Sequence, residues 1–264
     1  MATTEELKTQ LAAQIEQGRG FEAEQTAKTL GADASPVLTR FLQHKSADTR
    51  RIAMETAGQN ANPGNCRVII LFLDDPDPEI CDLATALLGK CTYPPLLPDL
   101  VQSSKKHPEP AIRGPLVLQI GIVGGKTEIP LLQSYYPTTK ESRLHRDLDL
   151  ALARLGEEGA CNRLIGRIED PDAGTRYQAL QDCIYVRDKS LVKHFGPALK
   201  DYRVVVRVSI PENPVPKDAR MCDLAVMVMA NLGHPLSYPG EPLQPRLELH
   251  LEEARKAVEA MNRQ

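Results

Sequence analysis

The chain of 264 residues carries a formal net charge of −3, with 25% charged residues, 4% aromatics and no Trp. That length can bury a sizeable core, and the balanced charge argues against a dedicated nucleic-acid or membrane binder. So few aromatics also argue against an open pocket for stacked bases or planar cofactors. The opening segment MATTEELKTQLAAQIEQ is acidic and lacks an apolar h-region, so no signal peptide is expected. No apolar run approaches the roughly 18 residues of a membrane span. The cysteines Cys66, Cys81, Cys91, Cys161, Cys183 and Cys222 form no C-x-x-C pair. They are read as reduced thiols of a cytoplasmic protein, with Cys81 and Cys222 on buried stripes, and a metal or disulfide role is the alternative.

Residues 1–31 predict amphipathic helices with Leu7, Leu11 and Ile15 on one face, a polar end cap for a repeat array. Helix pairs then recur. Ala32–His44 pairs with Ser46–Gly58, Pro63–Asp74 with Asp77–Gly89, and Pro95–Lys106 with Glu109–Gly121. Lys126–Tyr136 pairs with Ser142–Gly156, Glu158–Glu169 with Asp172–Val186, and Ser190–Asp201 with Asp218–Gly233. A closing helix is expected from about Pro245 to Asn262, within a C-terminal segment 241–264.

The second helices align on Ala53, Ala84, Leu116, Ala151, Ala179 and Ala225. In that frame Ser46, Asp77, Glu109, Asp172 and Asp218 fall at the N-cap, where a side-chain oxygen accepts from the orphan N–H groups of the first turn. The fourth unit has Leu144 there, and Ser142 is expected to cap a longer helix. Gly58, Gly89, Gly121 and Gly156 fall at the expected helix end, with Gly233 three residues later in the last unit. A period of about 30 residues with two helices per unit means a stacked array. The last interval is longer because YRVVVRVSIPENPVPK intervenes. Its β-branched residues suit a short extended segment, and Pro211, Pro214 and Pro216 forbid a helix after it. The insertion 202–217 is therefore expected as a loop on one rim, often the binding side.

The second helices, such as DPDPEICDLATALLG and EDPDAGTRYQAL, resemble the HEAT-like repeats named after phycobilisome lyases, whose pattern is roughly D-x-x-x-x-V-R-x-x-A-x-x-A-L-G. Asp75, Ile80, Ala84 and Gly89 match in the second unit, with Cys81 in the arginine slot; Asp170, Arg176 and Ala179 match in the fifth; Arg50 and Arg113 fill the slot in the first and third. The resemblance covers about 32–234. It implies a single all-α domain over 1–264, a right-handed α-solenoid of about six HEAT-like helix pairs with N- and C-terminal capping helices.

Arg50, Arg113 and Arg176 are expected to tie neighbouring units together by pairing with Asp. The inner face, sampled two residues before each anchor, shows Arg51, Asp82, Gly114, Asp149, Tyr177 and Asp223, which is no phosphate-tracking stripe. This and the missing Trp weigh against a helical-repeat DNA glycosylase. His44, His107, His145, His194, His234 and His250 form neither H-E-x-x-H nor the paired His-Glu steps of iron-binding HEAT-repeat hydroxylases, so that class is rejected and no metal or cofactor is expected. Residues 121–127, GIVGGKT, lack the Walker spacing and read as an inter-repeat turn. A basic cluster of Arg187, Lys189, Lys193, Lys200, Arg203 and Arg207 abuts the insertion.

The first functional expectation is a non-enzymatic scaffold for a protein partner, with Tyr202, Arg203, Arg207, Lys217, Asp82 and Tyr177 as contact residues. The second, implied by the resemblance, is a bilin lyase or chaperone-like protein that attaches or detaches bilins on antenna subunits, with Tyr177, Asp149 and Asp223 at the tetrapyrrole. The third is nucleic-acid binding through the basic cluster.

Overall fold

A computed structural model of the protein describes residues 2–138, 140–210, 213–238 and 242–263. The chain divides into two compact units, 1–151 and 152–264. In the first unit α1 (Thr4–Glu16) and α2 (Gly20–Leu30) form the end cap. Thr3 and Glu6 bond reciprocally in a capping box that starts α1. Next come α3 (Ser35–Thr39), α4 (Ala47–Gln59), α5 (Pro63–Leu71), α6 (Pro78–Leu87), α7 (Leu97–Lys106), α8 (Pro110–Val123), α9 (Ile129–Gln133) and α10 (Ser142–Arg154), whose last turn begins the second unit. The second unit continues with α11 (Glu158–Ile168), α12 (Ala173–Val186), α13 (Gly196–Leu199), a two-stranded antiparallel ribbon of β1 (Val204–Ile210) and β2 (Asn213–Arg220), α14 (Met221–Asn231) and α15 (Glu248–Met261). This is the all-α helical-repeat fold that the roughly 30-residue period predicts.

The two helices of each pair differ in kind. Second helices α4, α6, α8, α10, α12 and α14 each run as one α-helix of ten or more residues, with a 3-10 turn at 88–90 after α6 and Pro115 inside α8. Several first helices are short and continued by 3-10 turns: 31–34 and 40–43 flank α3, 126–128 precedes α9, and 189–194 precedes α13. Pro36, Pro130 and Pro197 stand in the first turn of these pieces, where a fixed φ starts a helix but a missing N–H prevents its extension backwards. The continuous first helices expected over 32–44, 126–136 and 190–201 are corrected accordingly.

The caps divide similarly. Ser46 accepts from the Thr49 N–H, Asp77 from Glu79 and Asp172 from Thr175. Glu109 makes no side-chain cap, and α10 begins at Ser142 itself. Asp218 is not a cap: it lies in β2, and α14 starts after Arg220 with Asp223 closing the capping box. Only Gly156 and Gly233 of the expected helix-ending glycines adopt positive φ, 82° and 74°. Gly58 lies inside α4, where an added Cβ would meet Leu87 Cδ1 of the next repeat at 2.7 Å, so its role is close packing.

The arginine ladder is structural. Arg50 donates to both Asp75 oxygens at 2.7 and 2.9 Å and to the His44 carbonyl at 2.8 Å. Arg176 donates to the Asp170 carbonyl at 2.7 and 3.0 Å and to Asp201 at 2.5 Å. Both reach a carboxylate 25 residues ahead, in the turn of the next repeat. Arg113 bonds the Ser104 and His107 carbonyls at 3.0 Å and, in place of the missing carboxylate, stacks on Tyr135 at 4.5 Å. In the second unit of the array Cys81 fills the slot, its thiol donating to the Leu73 carbonyl at 3.4 Å.

Candidate functional site

The insertion is a β-ribbon rather than a loop. β1 and β2 pair in the register Val204 with Arg220, Val206 with Ala219, Arg207 with Asp218 and Val208 with Lys217, interrupted by irregularities on either side. Pro214 and Pro216 are accommodated because a two-stranded ribbon is all edge, and an edge strand can do without donors. Pro211 and Glu212 of the predicted loop lie outside the described residues.

The base of the ribbon is tied down. Tyr202 is 45% exposed, yet its hydroxyl donates to Glu248 of α15 at 2.8 and 2.9 Å and accepts from Arg255 at 2.6 Å. The guanidinium groups of Arg220 and Arg255 lie over its ring at 5.2 and 5.7 Å. Bonds from Arg255 and then Tyr202 hold the Glu248 carboxyl below its ordinary range. Arg203 grips Asp201 through Nη2 at 2.7 Å and reaches the Pro171 carbonyl at 3.2 Å. These bonds, led by Arg203, hold the Asp201 carboxyl low against the effect of burial. Asp201 thus receives Arg176 and Arg203 together. Further out Arg207 pairs with Asp218 at 2.9 Å on the ribbon surface, and Lys217 is exposed.

The structure therefore gathers Tyr202, Arg203, Arg207 and Lys217 at one element, with Tyr177 half-buried on α12 of the same unit. Asp82 is exposed on α6, in the first unit. Of the basic cluster, Arg187, Lys189, Lys193 and Lys200 are exposed. Arg187 takes a left-handed φ of 59° as the C-cap of α12, and Arg203 and Arg207 are neutralised by their aspartates. The sampled inner face is also corrected. Asp223 is fully buried, accepting from Arg220 Nε and Nη2 at 2.9 Å and from the backbone of Arg246 at 2.8 Å. Asp149 accepts from the Tyr136 hydroxyl. Asp223 is therefore closed to a tetrapyrrole, whereas Asp149 is half-buried.

A second feature, in the first unit, has no counterpart among the sequence expectations. Two clefts of about 350 and 250 Å³ flank Leu71 and Asp74, both of which line each of them. The larger is walled by Leu42, His44, Phe72 and the Arg50–Asp75 pair, the smaller by Ile70, Asp99, Gln102 and Lys106. Leu71 is 47% exposed between them. Asp74 pairs with Lys106 at 2.5 Å and lies 3.3 Å from His107 Nε2. The signal available in the sequence was Leu71 itself, an apolar residue at a helix end shortly before Asp74 and Asp75.

The cysteines are unpaired thiols. Burial pushes those of Cys183 and Cys222 up to about 12 and about 11. Among the described residues no group of three or more His, Cys, Asp or Glu stands ready to hold a metal ion, and no helix is long and apolar enough to cross a membrane.

No family model and no curated protein matches the chain. Among solved structures it is similar to a chain of the complex of CpcE and CpcF of phycocyanin lyase from Nostoc sp. PCC7120, with a TM-score of 0.51 and 16% identity over 99% of this chain and 94% of that one. It is also matched by human deoxyhypusine hydroxylase in complex with glycerol, with a TM-score of 0.38 and 14% identity over 89% of this chain and 98% of that one. The expectation of a non-enzymatic chain is thereby corrected: the fold is one on which a lyase is built. At this identity the likeness establishes the HEAT-like helical-repeat fold.

Proposed function

We propose that the chain is a lyase-type helical-repeat subunit that holds a linear tetrapyrrole and works with a second protein. The observation that carries this reading is the end-to-end likeness to a chain of the phycocyanin lyase complex, which is itself an assembly of two proteins. The clefts beside Leu71 support it chemically. A linear tetrapyrrole is long and apolar, presents pyrrole N–H donors and carries carboxylates. Leu71 offers apolar contact, and the Asp74–Lys106 pair offers an acceptor for the N–H groups and a cation for a carboxylate. The larger cleft, about 350 Å³, lies at the low end of the roughly 300–1,000 Å³ of small-molecule sites. The ribbon is the proposed docking element for the second protein, through Tyr202, Arg203, Arg207 and Lys217.

Titrating the purified chain with biliverdin tests this. Binding is expected to shift and sharpen the long-wavelength absorbance band, and Asp74→Asn to weaken it about tenfold, as loss of a charged hydrogen-bond partner does. An unperturbed spectrum at roughly 100 µM protein, where even a weak site would be half filled, overturns the reading.

A further inference from the structure

We infer that Cys66 and Cys91 form a redox-active dithiol site, and that it takes a low-molecular-weight disulfide, which it reduces as its own disulfide closes. This goes beyond the proposed ligand and docking partner and rests on neither. Cys81 and Cys161 donate their thiols to carbonyls eight residues back, within one helix–turn–helix. Cys66 and Cys91, 25 residues apart, instead meet across two segments. Cys66 stands near the start of α5, and Cys91 closes the 3-10 turn at 88–90, which packs on α5. The Cys66 thiol donates to the Lys90 carbonyl at 3.8 Å, and the Cys91 thiol to the Cys66 carbonyl at 3.9 Å. Each sulfur thus lies against the backbone of the other's segment, and both side chains are fully buried. A side-chain hydrogen bond joins the two. Such mutual approach is what a disulfide requires, since its Cβ atoms must come to about 4 Å.

The two thiols are not equivalent. The hydrogen bond with Cys91 holds the Cys66 thiol below its ordinary value in spite of burial, while the same contact and burial push that of Cys91 up. Cys66 is therefore the attacking sulfur, because the thiolate is the nucleophile. Its thiolate attacks one sulfur of a small disulfide RSSR, whose S–S bond breaks. The departing RS⁻ takes up the proton that Cys66 lost. Cys91 then gives up its own proton and attacks the Cys66 sulfur of the mixed disulfide, displacing the second RS⁻, which takes up that proton. The chain loses two electrons and two protons, and the small disulfide leaves as two RSH. Access requires only a local opening. Cys91 sits between the exposed Lys90 and Thr92, in a segment held by the bonds from the Cys91 N–H to Leu88 and from the Thr92 N–H to Lys90. The new bond closes a ring over the rest of α5, the turn at Asp74 and the whole of α6. It constrains that stretch in the unfolded chain and so stabilises the folded one.

Incubating the folded full chain with glutathione disulfide, alkylating the remaining thiols and mapping the peptides by mass spectrometry tests this. A Cys66–Cys91 cross-link is expected, reversed by dithiothreitol, with the helical circular dichroism unchanged. The cross-linked chain is expected to unfold roughly 5–10 °C higher, the effect of closing a loop of this length. Cys91→Ser removes the second thiol and is expected to trap one glutathione on Cys66. Where that variant does not fold, the map of the parent chain decides alone. Cys66 and Cys91 both recovered as alkylated thiols overturn the inference. So does a cross-link to a different cysteine, or one between 66 and 91 that lowers the thermal midpoint. A folded Cys91→Ser chain that carries glutathione at Cys81 or Cys161 but not at Cys66 overturns it too. None of these results bears on biliverdin binding, so the lyase-type reading stands or falls separately.

Discussion

Arg50 and Arg51 are sequence neighbours on α4, and both make an ion pair at 2.7 Å, but the two pairs differ in worth. The Arg50–Asp75 side chains are 9% and 1% exposed, and the guanidinium satisfies two carboxylate oxygens and a carbonyl. Removing one partner leaves the other buried and unpaired, which typically costs about 3–5 kcal/mol. Arg51 and Glu79 are 38% and 78% exposed, where solvent reduces such a pair to roughly 0–1 kcal/mol. Urea denaturation is therefore expected to show Asp75→Ala destabilised by about 3 kcal/mol or more and Glu79→Ala unchanged within about 0.5 kcal/mol. Equal losses would show that the ladder does not join the repeats. Arg113 obeys the same logic with different chemistry, since it bonds two carbonyls and stacks on Tyr135 where Arg50 and Arg176 find a carboxylate.

At the scale of elements, the ribbon is held at its base and free at its tip. Asp201, Tyr202, Arg220 and Arg255 form the base and do not require the strands beyond Val204 and Ala219. Replacing residues 205–218 by Asn-Gly, which favours a tight turn, is expected to move the thermal midpoint by less than about 3 °C, because little apolar area is lost. The same variant is expected to abolish protein docking at the ribbon. A midpoint lowered by more than about 5 °C would instead make the ribbon part of the core. What was legible in the sequence at this scale was local. Helix caps at Ser46, Asp77 and Asp172, the arginine slot and the second helices all follow from spacing within one turn. The first strand was legible as an extended β-branched segment; the second was missed because its prolines count against strands, and a two-stranded ribbon is the case in which they do not. The clefts beside Leu71 were hidden for another reason: they need α5, the turn at Asp74 and Lys106 of α7 to converge, and no spacing rule reports convergence. The acid at Asp223 looked open because its position in the frame is exposed in the second repeat, whereas the turn after α14 brings Arg246 back over it.

At the scale of the whole molecule, carboxyls held below their ordinary range occur in both compact units. Asp172, Asp201, Glu248 and Glu253, all in the second unit, are carboxyls held below their ordinary range. Their causes are, in the same order, the Thr175 N–H, Arg203, Arg255 and the Ser237 hydroxyl. In the first unit Glu6 is held low by Thr3, in the capping box at the start of α1. A carboxyl whose pKa is depressed on folding binds protons more readily when unfolded. Its contribution is complete above the unfolded value, roughly 4, and is lost as pH falls through the lower folded value. Acid should therefore weaken the contacts that these carboxyls make. Hydrogen exchange read by mass spectrometry is expected to show peptides of α12, α13 and α15 losing protection between about pH 4 and 2. Asp201→Asn, which removes the carboxylate shared by Arg176 and Arg203, is expected to destabilise the second unit at pH 7 and to flatten this acid dependence. Protection in these peptides that does not change between about pH 4 and 2 would mean that the carboxylate at Asp201 does not hold the second unit.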